Sequence, residues 1–428
     1  MNRDSAALLA LSLLAMAISW LCGMRLPAGD LATAWHLLDA GLLRDDLLHS
    51  VFYLHAQPPL LNLIVGIALK LFGSAAPAAL TVLWASCAIA AVLATHALAL
   101  RLGSTRWLAF AAGASVAVAP ATWLYVHHVG PEMATAAALV GSAALVARGT
   151  RRSLWAGFVL LGIACCLRSL LAPPVVLVAL AVAGRKAARP ALAVFAVLAA
   201  ISLKNAAIAG TLSTSSWVGM NLARVTVARL SAAQRNELSP VAAVAPFSSG
   251  EQYAALVPVA HSGVAALDDL RKTSGATNYN ALVFAGASRM LLRDDLRAIA
   301  VSPRAVFSGW LLSWMLFFRP ADEWRYVADN RQRIAPWADF WDRAVCLELP
   351  LPFAPVGQTE VYLTLLAGVA LLVRALLRAP GRALWYAVAL IACVACLGNT
   401  FDVGENYRFR FLVAPLWAAV AAAAWRGR

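Results

Sequence analysis

The sequence predicts an all-α polytopic membrane protein with about ten to twelve transmembrane or re-entrant helices. Three observations carry that prediction. Of 428 residues, 62% are hydrophobic and only 13% are charged, whereas soluble domains carry about 25% charge. Apolar runs of membrane or near-membrane length recur along the chain, to be set against the roughly 20 apolar residues of a helical crossing. No period-two alternation competes with them, and no long heptad or solenoid repeat is present.

The runs occupy 5–24, 58–73, 77–100, 107–125, 133–147, 153–167, 170–184, 190–209, 305–318, 359–377, 383–399 and 409–425. The first lacks a clear small-residue cleavage site and is read as an uncleaved helix, not a signal peptide. The run 58–73 would reach only about 24 Å as a helix, which suits a re-entrant or juxtamembrane segment, and 305–318 is similar. Two polar stretches interrupt the pattern. The chain therefore divides into an N-terminal membrane module, 1–209, with its first external loop at 25–57, an extracytoplasmic insertion, 210–304, and a C-terminal membrane module, 305–428. Within the last, 319–357 is rich in Trp, Arg and Asp, as expected of a segment lying at the headgroup level.

Charge orders the turns. Arg101 and Arg106, Arg148, Arg151 and Arg152, then Arg185, Lys186 and Arg189, and finally Arg374, Arg378 and Arg382 mark cytoplasmic turns by the positive-inside rule. The net charge of +14 is spread over such clusters, with no basic stripe, so anionic lipid explains it and nucleic acid is not an expected partner. Alternate turns, including 127–132 and 399–407, then face outward. Charge does not orient the first loop, which holds both Arg25 and Arg44. The seven cysteines show neither metal-ligand spacing nor a disulfide framework, and all but Cys346 lie in or beside apolar runs, where a thiol acts as a small hydrophobe.

Chemistry concentrates at a few positions. Asp30 follows a Pro-Ala-Gly break after the first run; it is either a helix cap for the amphipathic stretch 31–43 or a general base at the membrane face, where burial lifts a carboxyl toward the working range. His55 and Gln57 precede Pro58-Pro59, a helix start that can also line a pocket. Asp39, Asp45 and Asp46 are read as a solvated face. Glu132 stands beside His127 and His128 at the start of a span, where a carboxylate is a functional candidate unless it merely complements the helix dipole. Arg168 falls on an outward turn, Lys204 late in an outward-going span, and Arg408 and Arg410 just after an outward loop; snorkelling explains any one of them. Together they suggest an anionic ligand, a phosphate on a lipid, since guanidinium binds phosphate oxygens bidentately. No nucleotide-binding glycine loop or nucleophile elbow appears.

In these motifs the chain resembles the GT-C class of membrane glycosyltransferases, which holds the protein O-mannosyltransferases and the lipid A aminoarabinose transferases. LPAGDLATAWHLLDAGLL and HAQPPLLNLIVGIALKLFG resemble its first external loop and the helix start behind it; VHHVGPEMATAAAL, CCLRSLLAPPVVL and ENYRFRFLVAP resemble later segments. The resemblance implies transfer of a sugar from a polyprenyl-phosphate donor to a lipid, glycan or protein acceptor at the outer face, in the inner (plasma) membrane of a bacterium. It implies Asp30 as catalytic base, Glu132 as a second catalytic acid, and Arg168 on the donor phosphate, with His55, Gln57, Lys204, Arg408 and Arg410 binding substrate. Gly29-Asp30 supplies one acid where the class carries an adjacent pair. The cofactor is therefore unknown, with no metal-ligating residue assigned and a divalent metal left open. A polytopic transporter or lipid flippase, or a non-catalytic envelope polysaccharide assembly protein, is the alternative.

Overall fold

Helices joined by short turns make up the computed structural model, which describes residues 3–171, 173–244, 246–345, 359–378 and 381–425. Cys346 and positions 346–357 of the expected interfacial segment lie outside the described residues. Among the described residues no strand forms; one isolated bridge joins Arg271 to Thr277.

The chain is an integral membrane protein of several passes. Four helices are long and apolar enough to cross: Arg3–Leu21, Leu60–Arg101, Arg185–Ala209 and Arg382–Phe401. Two bent pairs raise the number to six among the described residues. Ten to twelve is not reached by length and composition, because apolar runs such as Glu132–Val146 and Pro173–Ala183 yield helices of 15 and 11 residues. The 42 residues of Leu60–Arg101 would extend about 63 Å, twice a bilayer core. Both halves therefore cannot share one straight crossing. Leu13, Leu14, Ile18, Val82, Leu192 and Leu203 point outward from these helices, as lipid-facing surface requires.

One bend sets where the buried acid and its neighbouring histidines lie. Arg106–Val118 and Pro120–Val126 meet at 49° because Ala119 is extended and Pro120 has no N–H to continue the helix. The carbonyls so freed are taken by side chains. Thr122 Oγ1 donates to Val116 O at 2.8 Å and Trp123 Nε1 to Ala117 O at 2.8 Å. The next turn carries His127, His128 and Glu132 into the interior.

The insertion is built onto the first loop. Asn280 Oδ1 accepts from His55 N at 2.9 Å and Ala56 N at 3.1 Å, while its Nδ2 donates to Tyr53 O and Ala266 O. Lys272 Nζ donates to Ala34 O at 2.7 Å, Thr273 donates twice to Asp39 Oδ2, and Ser274 Oγ donates to Ala32 O. Asp39 is thus no solvated acid. It is buried and also caps Ala40–Asp45. Burial alone would raise its pKa, but hydrogen bonds from Thr273, Gly41 and Leu42 hold it below the usual carboxylate value. The stretch 31–43 is correspondingly two short helices, Asp30–Thr33 and Ala40–Asp45, rather than one amphipathic helix. Asp45 and Asp46 are exposed beside Arg44 and His49. Behind the loop, Val218–Val225 lies against Leu282–Val301 at Gly219, where a Cβ would come within 1.9 Å of Ser288 O.

The described part of the interfacial segment docks on the membrane helices. Trp337 Nε1 donates to Val118 O, Tyr125 Oη to Ala321 O, and Asn330 exchanges two bonds with the Arg25 backbone. Arg331 joins Asp322, Asp339 and Asp342 within it.

Asn280→Ala leaves two buried N–H donors of the first loop without an acceptor, at roughly 1–3 kcal/mol for each orphaned group. A loss of about 2–4 kcal/mol is expected in thermal unfolding of the detergent-solubilised protein, whereas exposed Arg44→Ala changes stability by less than about 0.5 kcal/mol.

Candidate functional site

A cavity of about 510 Å³ opens where the first loop, the insertion and the turn before Asn406–Ala424 meet. That is the size of a small-molecule site. Four guanidinium groups line it, those of Arg168, Arg224, Arg325 and Arg408, together with two carboxylates, Asp402 and Glu405.

Behind this lining lies Glu132, 1% exposed. Its Oε1 accepts from Arg408 Nη1 at 3.1 Å and from Arg168 Nη1. Glu405 pairs with Arg408 from the other side, and Arg224 Nη1 donates to Asp402 Oδ1 at 2.7 Å. Aromatic faces complete the enclosure of the cations: Arg408 lies 4.9 Å from the Trp324 ring centre and 5.4 Å from that of Trp35, and Arg168 lies 5.0 Å from that of Phe409. Such contacts strengthen as the cation is desolvated. Gly130 leaves room for two of these side chains. A Cβ on it would fall 2.1 Å from Glu132 Oε2 and 2.7 Å from His128 Cδ2. Arg325, at the mouth, has no carboxylate partner among the described residues and rests on Tyr326.

Two histidines are held neutral. His36 Nε2 donates to Val129 O at 2.7 Å, which leaves Nδ1 as the lone-pair nitrogen. Burial, opposed by Glu132, pushes its pKa down to about 3. His55 is fully buried with Nδ1 2.8 Å from Ser216 Oγ, and burial with Lys204 nearby lowers it to about 3. Neither is a competent base near neutrality. Asp402 is the better candidate: burial raises its pKa, against the pull of Arg224, and it lines the cavity.

The structure unites some of the sequence-nominated residues and separates others. Gln57, Arg168 and Arg408 line the cavity, and Glu132 braces the last two. Asp30 is not in the lining. It is half-buried, heads Asp30–Thr33 without capping it, and has its pKa raised by burial and by Asp329. His55 lies behind Gln57. Lys204 donates to Leu54 O and Arg410 to Phe318 O and Arg319 O, so both brace backbone. Arg224, Asp402 and Glu405 were not singled out from the sequence, although Glu405 stands three residues before Arg408 in the ENYRFR motif. No cluster of three or more His, Cys, Asp or Glu side chains is placed to hold a metal among the described residues, and a guanidinium-rich lining is a poor seat for a cation.

No protein-family model matches the chain, and no curated protein matches it. Solved structures do. This chain is similar to an archaeal oligosaccharyltransferase. The Archaeoglobus fulgidus enzyme tethered with an acceptor peptide aligns at 12% identity over 97% of this chain and 49% of its own, with a TM-score of 0.42. The same enzyme in complex with an inhibitory peptide and a dolichol-phosphate aligns at 13% identity over 97% and 50%, also with a TM-score of 0.42. ArnT from Cupriavidus metallidurans in the apo state aligns at 14% identity over 98% and 76%, with a TM-score of 0.33. Both proteins are GT-C glycosyltransferases, the class that the motifs resemble. The chain spans about half the length of the oligosaccharyltransferase.

Glu132→Gln leaves two buried guanidinium groups without their shared carboxylate, at about 3–5 kcal/mol. Thermal unfolding should show that loss, and the double variant Glu132→Gln with Arg168→Gln should recover part of it.

The histidines set a pH dependence. Their folded pKa values, about 3, lie below the unfolded value of about 6.5. The stability tied to their neutral forms is therefore full above pH 6.5 and lost as pH falls toward 3, by about 1.4 kcal/mol per histidine per pH unit. The melting temperature should drop between pH 7 and 5, with a shallower slope in His36→Gln.

Proposed function

We propose that this chain is an integral membrane glycosyltransferase of the GT-C kind, moving a sugar from a polyprenyl-phosphate donor to a lipid, glycan or protein acceptor. One observation supports this above the others. The cavity holds four guanidinium groups against the two carboxylates that line it and the third behind them. The surplus of one positive charge matches a phosphodiester, and apolar helices surround the cavity to hold a lipid chain. The reading extends to an outer-face setting in a bacterial inner membrane, which the motif resemblance implies, to further re-entrant crossings beyond the six spans, and to the division at 209 and 304.

In the reaction the acceptor O–H or N–H gives its proton to Asp402 as its lone pair bonds to the sugar's anomeric carbon. The bond from that carbon to the phosphate oxygen breaks, and the polyprenyl phosphate leaves with the electron pair. Arg168, Arg325 and Arg408 face the charge that grows on it, and fixed groups aimed at such charge usually lower the barrier more than any other device in the site. Glu132 positions Arg168 and Arg408. Asp30, which the motif resemblance nominates as the base, is the competing assignment.

The purified protein in lipid nanodiscs, given a polyprenyl-phosphate donor with a labelled sugar, should release polyprenyl phosphate. Asp402→Asn should lower turnover by about 100-fold or more, with Asp30→Asn changing it by less than about tenfold. The reverse order would return the base to Asp30. Binding without turnover, with labelled lipid crossing a sealed bilayer, would favour the flippase reading.

A further inference from the structure

The cavity has two chemically distinct sides, and the catalytic scheme uses only the charged one. The other is supplied mainly by the insertion. Trp217, 1% exposed, is its pier: Trp35 stacks on it at 5.3 Å and 30°, and Phe247 and Tyr279 meet its ring edge-on at 5.4 and 5.7 Å. Trp217 Nε1 donates to Tyr279 O and Tyr279 Oη to Phe247 O, which locks the group together. Phe247 has a φ of 60°, a left-handed backbone that a bulky residue avoids unless its surroundings impose it. That backbone strain lies in the cavity wall.

Two amides accompany these rings. The side chains of Gln57 and Asn221 line the cavity half-buried and meet no protein hydrogen-bond partner among the described residues. A primary amide both donates and accepts, which suits the hydroxyl groups of a sugar, while the apolar C–H face of a sugar ring suits an aromatic wall. Trp35, Gln57, Trp217, Asn221, Phe247 and Tyr279 bring no carboxylate to this side, and the two elsewhere in the lining, Asp402 and Glu405, each already face an arginine. A protonated amine would find no counter-ion among these six and would face Arg325, which has no carboxylate partner among the described residues.

Resting on the glycosyltransferase function, we infer that the Trp35–Trp217–Phe247–Tyr279 side of the cavity is the glycosyl subsite, that Gln57 and Asn221 read the sugar hydroxyls, and that the transferred sugar is a neutral ring and not an amino sugar. The insertion 210–304 thereby sets sugar specificity, while the membrane helices hold the phosphate.

Binding to the full chain in nanodiscs tests this, followed by tryptophan fluorescence with three short-chain probes: bare polyprenyl phosphate, the same lipid phosphate carrying a neutral hexose, and the same carrying an amino sugar. The neutral-hexose probe should bind about tenfold tighter than either of the others. Asn221→Ala and Gln57→Ala, whose amides make no protein hydrogen bond among the described residues, should each lose most of that margin. Equal affinity for all three probes would make this side a seat for the lipid chain and overturn the inference. Tighter binding of the amino sugar, or a margin intact in both variants, would overturn it as well. Failure of every lipid phosphate to bind is a different outcome: it removes the glycosyltransferase reading itself, and the subsite with it.

Discussion

A single buried carboxylate, Glu132, holds the cavity in shape. Two guanidinium groups from distant parts of the chain converge on its Oε1, Arg168 at a separation of 36 residues and Arg408 at 276. A charge of this kind persists in an apolar interior only when paired, and the pairing fixes both arginines in the cavity wall. Much of the local architecture exists to deliver that carboxylate. The 49° bend at Ala119–Pro120 turns the chain inward, Gly130 lets the backbone pass over the carboxylate, and the Trp35, Trp324 and Phe409 rings exclude water from the cations.

The division of labour around that pairing is chemical. Arg168, Asp402, Glu405 and Arg408 stand at or beside the ends of apolar helices, while Arg224 comes from the insertion and Arg325 from the interfacial segment. The aromatic and amide groups come from the first loop and from positions 217–279 of the insertion, outside the candidate spans, where polar backbone is tolerated. Asp402 stands where the two meet, paired with Arg224 of the insertion. A phosphate and a sugar ring have the same division, a compact anion on one side and a face of C–H and O–H groups on the other.

The membrane character of the fold was legible in the sequence because hydrophobicity is a local property, summed over each run. Glu132 was picked out as an ion that an apolar neighbourhood tolerates only when hydrated or paired, and Arg168 and Arg408 as cations on the outward side, but that the three pair with one another is a long-range fact the sequence does not carry. Asp39 was misread because a carboxylate followed by two more looks like a wet face; its partner, Thr273, is 234 residues away. Lys204 and Arg410 were grouped with the phosphate binders by sidedness alone, and sidedness does not show that a cation has already been taken by a backbone carbonyl. Arg224 and Asp402 carried no local signal at all, because each is meaningful only as half of a pair. Asp30 occupies the position that the motif favours, but the chain first reaches the cavity lining at Trp35.

The clasp of the insertion on the first loop also imposes an order of assembly. His55 N and Ala56 N find their acceptor in Asn280, 225 and 224 residues later. A chain made from its N-terminus therefore carries these donors unsatisfied, and solvated, while the early helices are threaded into the bilayer. Arg168 and Glu132 meet sooner, and Arg408 joins them only after a further long stretch of chain, 276 residues beyond Glu132. The cavity thus closes only once Arg408 has been made, and a chain stalled before it holds the early helices without the closed chamber.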